Sequence, residues 1–151
     1  MIALTHIAFA LLVGNYLELN LILVAILSIL PDIDNPGSPV GRLLKPISKR
    51  IYARFGHRSI THSLMFLDLA TIIGFVHSVG LGLTILVGIG SHILLDSLTY
   101  AGVQLLFPQR VNYNLFDRQI LVGSRADWFI GILLFAFFVT NAINLNLVEL
   151  L

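Results

Sequence analysis

Five apolar stretches with hardly a charge inside them constrain this chain more than any other feature. They run from about Leu4 to Gly14, Leu17 to Leu30, Ser63 to Val76, Leu81 to Leu98 and Trp128 to Leu145. In hydrocarbon the backbone N–H and C=O groups must satisfy one another, which turns such stretches into helices. The 151 residues are 57% hydrophobic and 11% charged, against about 25% charged in an average soluble chain. The expected fold is an all-α integral membrane protein with about five apolar helices, forming a single domain over residues 1–151. A full crossing takes about 20 residues. The first three stretches are therefore short, and are read as tilted, set beside thinned bilayer, or not fully crossing. The last two have adequate length.

No Lys or Arg precedes the first apolar stretch, so no cleaved signal peptide is expected. Cysteine is absent, so a bound metal falls to His, Asp or Glu. The cations are segregated: Arg42, Lys45, Lys49, Arg50, Arg54 and Arg58 in one stretch, then Arg110, Arg118 and Arg125. Loops rich in Lys and Arg stay cytoplasmic. That places the amino terminus, residues 31–62 and residues 99–127 inside, in the cytoplasmic (inner) membrane. Membrane lipids are the expected partner of this basic surface, and no nucleic-acid partner is expected. "VGRLLKPISKRIYARFG" reads as an amphipathic interfacial segment, with Leu43, Leu44, Ile47 and Ile51 opposing a basic face. A plain solvated loop is its alternative.

A weak repeat runs through the chain. Thr5-His6 opens the first apolar helix and Thr61-His62 opens the third. Each pair is followed by an apolar hairpin returning to an aspartate, "SILPDID" in one case and "SHILLDS" in the other. Alignment superposes Asp32 on Asp96 and Ser28 on His92. Two repeated helical hairpins plus a C-terminal helix would follow from this.

On that topology the ionisable residues sort to one membrane face. His6, Asp32, Asp34, His57, His62, His92, Asp96 and Asp127 all lie at inner helix ends, and the first seven are candidate metal ligands. His92 and Asp96 are four apart in "HILLD" and share a helix face. They suit a shared cation, or a carboxylate that orients the imidazole; a helix-stabilising pair is the plain alternative. A carboxylate inside an apolar helix is expensive, which favours the cation. Asp32 and Asp34 flank Ile33 after a proline and can grip one cation from two directions or bridge two. The competing reading is turn chemistry. His57 and His62 are five apart and do not share a helical face, so His57 and Arg58 belong to a loop. Ser59 or Thr61 would cap the helix and His62 would enter at its first turn. Arg58 suits an anionic substrate, because guanidinium forks match phosphate oxygens. His77 falls on the outer side and belongs to no motif. Asp68 lies about 9 Å beyond His62 at ~1.5 Å per residue, and an intramembrane carboxylate invites a functional reading.

"TH" near the start, "LPDID", "HRSITHS", and "HILLDSLT" followed by Gly102 and Pro108 together resemble the membrane-bound metal-dependent hydrolases, the LexA-regulated inner-membrane hydrolase family. These motifs span residues 5 to 108. The family pattern reads HRGxTHS where this chain has Ser59 in place of the glycine. A position after Gly123-Ser124 corresponds to Asp127. A more distant similarity links the order of motifs to zinc-dependent phospholipase C and P1-type nucleases. It implies His6, Asp32, His62, His92 and Asp96 as ligands of clustered divalent ions.

The expected function is a cytoplasm-facing, metal-dependent hydrolase acting on an anionic, lipid-linked or phosphoester substrate. The metal would draw the pKa of a bound water from about 15.7 toward about 7. Mixed His and Asp ligands favour Zn²⁺ or Mn²⁺. Asp34 is the expected general base or bridging ligand, and Arg58, with Arg118 or Arg125, the expected anion holder. One rival is a metal or proton transporter, whose site would sit nearer the bilayer midplane. The other is a membrane protein whose metal only ties helix ends together.

Overall fold

A computed structural model of the chain describes residues 1–115 and 120–149, with side chains up to residue 143. Helices α1 (Ala3–Tyr16) and α2 (Leu21–Ile29) form a first hairpin, and Asn20 caps α2 by accepting from the amide of Leu23. Pro31 then forces a tight 3-10 turn, Leu30–Asp34. Short α3 (Pro39–Leu43) and basic α4 (Lys45–Phe55) follow. A second 3-10 turn, Ile60–His62, leads into α5 (Leu64–His77), which is joined through Ser78 to α6 (Val79–Ser97). Residues 98–115 and 120–124 are irregular apart from isolated bridges pairing Thr99 with Ile120 and Val103 with Tyr113, and α7 (Arg125–Glu149) follows.

The all-helical expectation holds, with no strand among the described residues. All five apolar stretches form helices, but among the described residues only α6 and α7 have the length and composition to cross a membrane. At ~1.5 Å per residue, fourteen-residue α1 and α5 reach about 21 Å of a ~30 Å hydrocarbon core. Helix α6 is central, packing against α1, α2 and α5, while α7 leans on α1. The cap of α5 differs from expectation: Ser63, not Ser59 or Thr61, accepts from the amide of Phe66. Thr61 is thereby released to turn inward.

Two glycines set the approach of these helices. A Cβ at Gly88 would lie 2.5 Å from Leu27 Cβ and 3.2 Å from the carbonyl of Val24, so α6 presses directly on α2. A Cβ at Gly131 would lie 2.8 Å from Thr5 Oγ1, which brings α7 onto the first turn of α1. The apolar core is small, built on Leu67, Ile89, Ile93 and Val103. Beside it, where α2 and α6 end and α1, α5 and α7 begin, lie buried polar groups, including His6, Asp34, Arg58, His62, His92, Asp96 and Asp127. Large apolar side chains such as Ile72, Phe129, Ile132 and Phe137 face outward, the inverse of a soluble protein.

Candidate metal centre

The starts of α1, α5 and α7 and the ends of α2 and α6 meet at this polar end. Asp32, His62, His92 and Asp96 come together there, each offering one ligand atom within 4.8 Å of the others. The 3-10 turn begun by Pro31 delivers Asp32, and the turn before α5 delivers His62. The helical i,i+4 spacing of His92 and Asp96 puts His92 Nε2 3.6 Å from Asp96 Oδ2. Remaining separations are 3.1 Å between His62 Nε2 and His92 Nε2, and 3.5 Å from His62 to Asp96. Asp32 Oδ1 stands 3.9 and 3.8 Å from the two imidazoles. Bonds of ~2.0–2.1 Å in a tetrahedral zinc site place donor atoms about 3.3 Å apart. These four residues approach the spacing of a divalent site, with Asp96 Oδ2 shared with Arg58 at 2.9 Å.

The hydrogen-bond pattern adds a chemical argument. His92 Nδ1 lies 2.6 Å from the carbonyl of Ser28, which can only accept, so Nδ1 carries the proton. Thr61 donates its hydroxyl hydrogen to Asp34 Oδ2 at 2.8 Å. His62 Nδ1, 3.1 Å from that same hydroxyl, must therefore donate to it or to Asp34 Oδ2 at 3.3 Å. With both Nδ1 atoms protonated, two Nε2 lone pairs point at each other across 3.1 Å. A cation, proton or metal, has to lie between them. Burial opposes charge on His62, but hydrogen bonds to Asp34 and Asp96 overcome it and push the imidazole up to about 9. Burial, reinforced by the Asp96 carboxylate, raises Asp32 above the ordinary carboxylate range. The rise at His62 comes from the carboxylates around it, and the rise at Asp32 chiefly from its burial.

Other expected residues take distinct places. Asp34 joins Asp32 and His57 in a second group of possible ligands, yet its oxygens are already engaged. They accept from His57 Nδ1 at 2.7 Å, the amide of Arg58 at 2.8 Å and Thr61 at 2.8 Å. Burial works against its charge, and hydrogen bonds from His57 and His62 outweigh that, holding Asp34 well below the ordinary carboxylate range. Such a group orients histidines and makes a weak proton acceptor. His57 is part-exposed, with its ring 5.7 Å from that of His62. His6 stacks on His92 at 3.8 Å but stands outside both groups of possible ligands. Its Nε2 faces two acceptors, the carbonyl of Met1 at 3.1 Å and Asp96 Oδ1 at 3.3 Å. Nε2 thus carries the proton, and Nδ1 is buried without a partner.

Arg58 does not present its guanidinium to an open site. It is 8% exposed, paired with Asp96 Oδ2 at 2.9 Å and bonded to Thr99 Oγ1 at 2.6 Å. Its φ of 59° lies in the left-handed region, a strained backbone at a cost of ~1–3 kcal/mol; in that conformation its amide reaches Asp34. The Met1 amino group also ion-pairs with Asp96. Arg118 lies outside the described residues, and Arg125 is exposed at the start of α7. Asp68 is exposed on the outer face of α5 instead of lining the interior.

The role of Asp127 was hidden in the sequence. It accepts from Ile2 N at 2.9 Å and Thr5 Oγ1 at 2.8 Å, just as Asp34 accepts from Arg58 N and Thr61 Oγ1. Ile2 and Thr5 stand in the repeat where Arg58 and Thr61 stand. The two Thr-His turns therefore share one device, an aspartate that clamps an amide and a hydroxyl. The carboxylate comes from α7 in one case and from the 30–34 turn in the other.

A family model described as YdjM inner membrane protein matches residues 1–151. The chain belongs to the YdjM inner membrane protein family. It is 45% identical over 118 residues to the inner membrane protein YdjM of Escherichia coli (strain K12), covering 71% of this chain and 58% of that one. The same figures hold for the YdjM protein of Shigella flexneri. The uncharacterized protein YvsG of Bacillus subtilis (strain 168) is 33% identical over 93 residues, 60% of this chain and 58% of its own. The chain thus spans a little over half the length of the curated relatives it matches. No solved structure matches it. The YdjM family is named for its place in the inner membrane, and the resemblance carried by "LPDID", "HRSITHS" and "HILLD" is to that extent upheld.

Proposed function

We propose that this YdjM-family chain is a multi-pass, metal-dependent hydrolase that cleaves a phosphoester of an anionic, membrane-associated substrate at the cytoplasmic face. The facing Nε2 atoms of His62 and His92, bracketed by Asp32 and Asp96, carry the reading. The donor set of two imidazoles and two carboxylates favours Zn²⁺ or Mn²⁺. A divalent ion held there supplies Lewis acidity and lowers the pKa of a coordinated water toward neutrality.

The chain's own residues supply the remainder. His57 is the general acid–base: it is part-exposed, beside the ligand His62, and fixed through Nδ1 by Asp34. Geometry of this kind is what proton transfer requires. Asp34, first read as base or ligand, becomes the positioning residue of both His57 and His62. Arg58 balances the charge of Asp96, leaving exposed cations such as Arg42 and Lys45 to meet an anionic substrate. Access runs over Asp32, whose side chain is 15% exposed, while His62, His92 and Asp96 are at or below 1%. Transport fits less well, because the ligands gather at one end of the bundle. The cytoplasmic orientation rests on the placement of Lys and Arg.

Metal analysis of the purified chain, with assays on water-soluble and lipid phosphoesters, tests the proposal. Bound zinc or manganese and metal-dependent turnover are expected, both abolished by the double substitution His92→Ala, Asp96→Ala. Unchanged hydrolysis by that double variant would overturn the assignment, as would metal-free protein from several expression media.

A further inference from the structure

A groove of about 390 Å³ lies beside the metal centre, lined entirely by apolar side chains: Ile26, Ile29, Leu30, Pro39, Val40 and Leu43. The first three, spaced i, i+3 and i+4, lie at the end of α2 and the start of the turn that follows it, and the last three belong to α3. The volume falls within the range of small-molecule sites, ~300–1,000 Å³.

Three observations identify what such a groove would hold. First, it is joined to the metal centre through one turn. Leu30 belongs to the same 3-10 turn as Asp32, two residues or about 4 Å along its axis. Ser38, which caps α3, donates its hydroxyl to the carbonyl of Asp32 at 2.7 Å, locking groove wall and ligand together. Second, the opening of the centre lies over Asp32 and His57, the two most exposed residues of the candidate groups. Third, the segment forming the outer rim is basic without compensation. Arg42, Lys45, Lys49, Arg50 and Arg54 are exposed, and residues 35–55 contain no Asp or Glu. An apolar slot, the part-exposed Asp32 and His57, and a basic segment that follows the slot in the chain match an anionic amphiphile.

We propose that this groove is an acyl-chain subsite, seating one hydrocarbon chain of an anionic phospholipid so that its headgroup phosphate reaches the opening at Asp32 and His57. The fate of that headgroup rests on the hydrolase reading; seating of the chain does not. Bulk lipid merely wetting the surface would instead show no preference for the groove over the apolar faces of α5 and α7.

The test uses the full chain in phosphatidylcholine bilayers with phosphatidic acid carrying a diazirine in its acyl chain, the labelled residues being mapped by mass spectrometry. Labelling concentrated on Ile26, Leu30 and Leu43, and weaker from phosphatidylcholine carrying the same diazirine chain, is expected. Val40→Trp, which fills the groove at a half-buried position, should cut that labelling about tenfold, as loss of two buried methylenes would. Ile132→Trp on the outer face of α7 should leave it unchanged, and Asp96→Asn should abolish hydrolysis while labelling persists. Labelling of Ile72 and Ile132 as strong as that of the groove, or indifference to Val40→Trp, would overturn the subsite. Groove labelling by a protein that hydrolyses nothing would uphold the subsite and overturn only the hydrolase reading.

Discussion

Gly88→Ala offers the sharpest test of how the fold builds the metal centre. The added methyl would start 2.5 Å from Leu27 Cβ, whereas carbon atoms settle about 3.5–4.0 Å apart. Helices α6 and α2 must therefore separate by roughly 1–1.5 Å there. His92 lies one turn further along α6 and Ser28 directly follows Leu27, so the same displacement stretches the bond from His92 Nδ1 to the Ser28 carbonyl. That bond is now 2.6 Å, and the added separation carries it to or beyond the ~3.5 Å limit of a hydrogen bond. Overpacking costs about 1–3 kcal/mol, and a buried donor left unpaired about 1–3 more. Loss of the group that orients a ligand imidazole lowers metal affinity roughly 10–100-fold. Competition against a chromogenic zinc chelator, run beside thermal unfolding of the metal-free protein, reads both effects. Gly80→Ala is the control: nothing lies within 4 Å of its Cβ, so affinity should hold. If Gly88→Ala binds zinc within about twofold of wild type, the claim that helix approach positions His92 fails.

Further outcomes follow from the same geometry. Asp34→Asn should weaken zinc binding about 10–100-fold while Asp96→Asn removes it, since the first disturbs orientation and the second removes a ligand; equal losses would return Asp34 to the ligand set. His62 must shed a proton to bind metal, so apparent affinity should climb about tenfold per pH step from 7 and level off above 9. Calorimetry in two buffers of different ionisation enthalpy should count close to one proton released per ion, and none would contradict the tautomers assigned here. The metal-free fold has the opposite sign: with its pKa pushed up to about 9, His62 stabilises it fully below about 6.5, and that contribution fades as pH rises through 9. Asp127→Asn should lower the melting temperature, with about 1–3 kcal/mol lost from unpaired partners at Thr5 and Ile2. Its metal content should be unchanged, because His6 stands outside the ligand set; loss of metal would place His6 inside it.

The helical class and the sorting of ligands to one end were legible in the chain alone. Apolar runs in lipid have few structures open to them, and each helical hairpin reverses direction. Polar residues at alternate ends of successive helices therefore gather on one side whatever the packing detail. The spacing of His92 and Asp96 likewise fixed a shared face through helix periodicity. What periodicity does not carry is which residue stands behind which. Asp34 and His57 meet across a loop, and Thr5 and Asp127 meet across most of the chain, through close approaches permitted by single glycines. Arg58 read as a free anion-binding cation, yet tertiary packing buries it against Asp96. His6 read as a ligand because it repeats His62, but its imidazole turns to Asp96 and the Met1 carbonyl. Ligand types and their side of the bundle are properties of sequence order. The assignment of ligand, orienter and counter-charge depends on ångström-scale contacts between helices, and only the folded arrangement decides those.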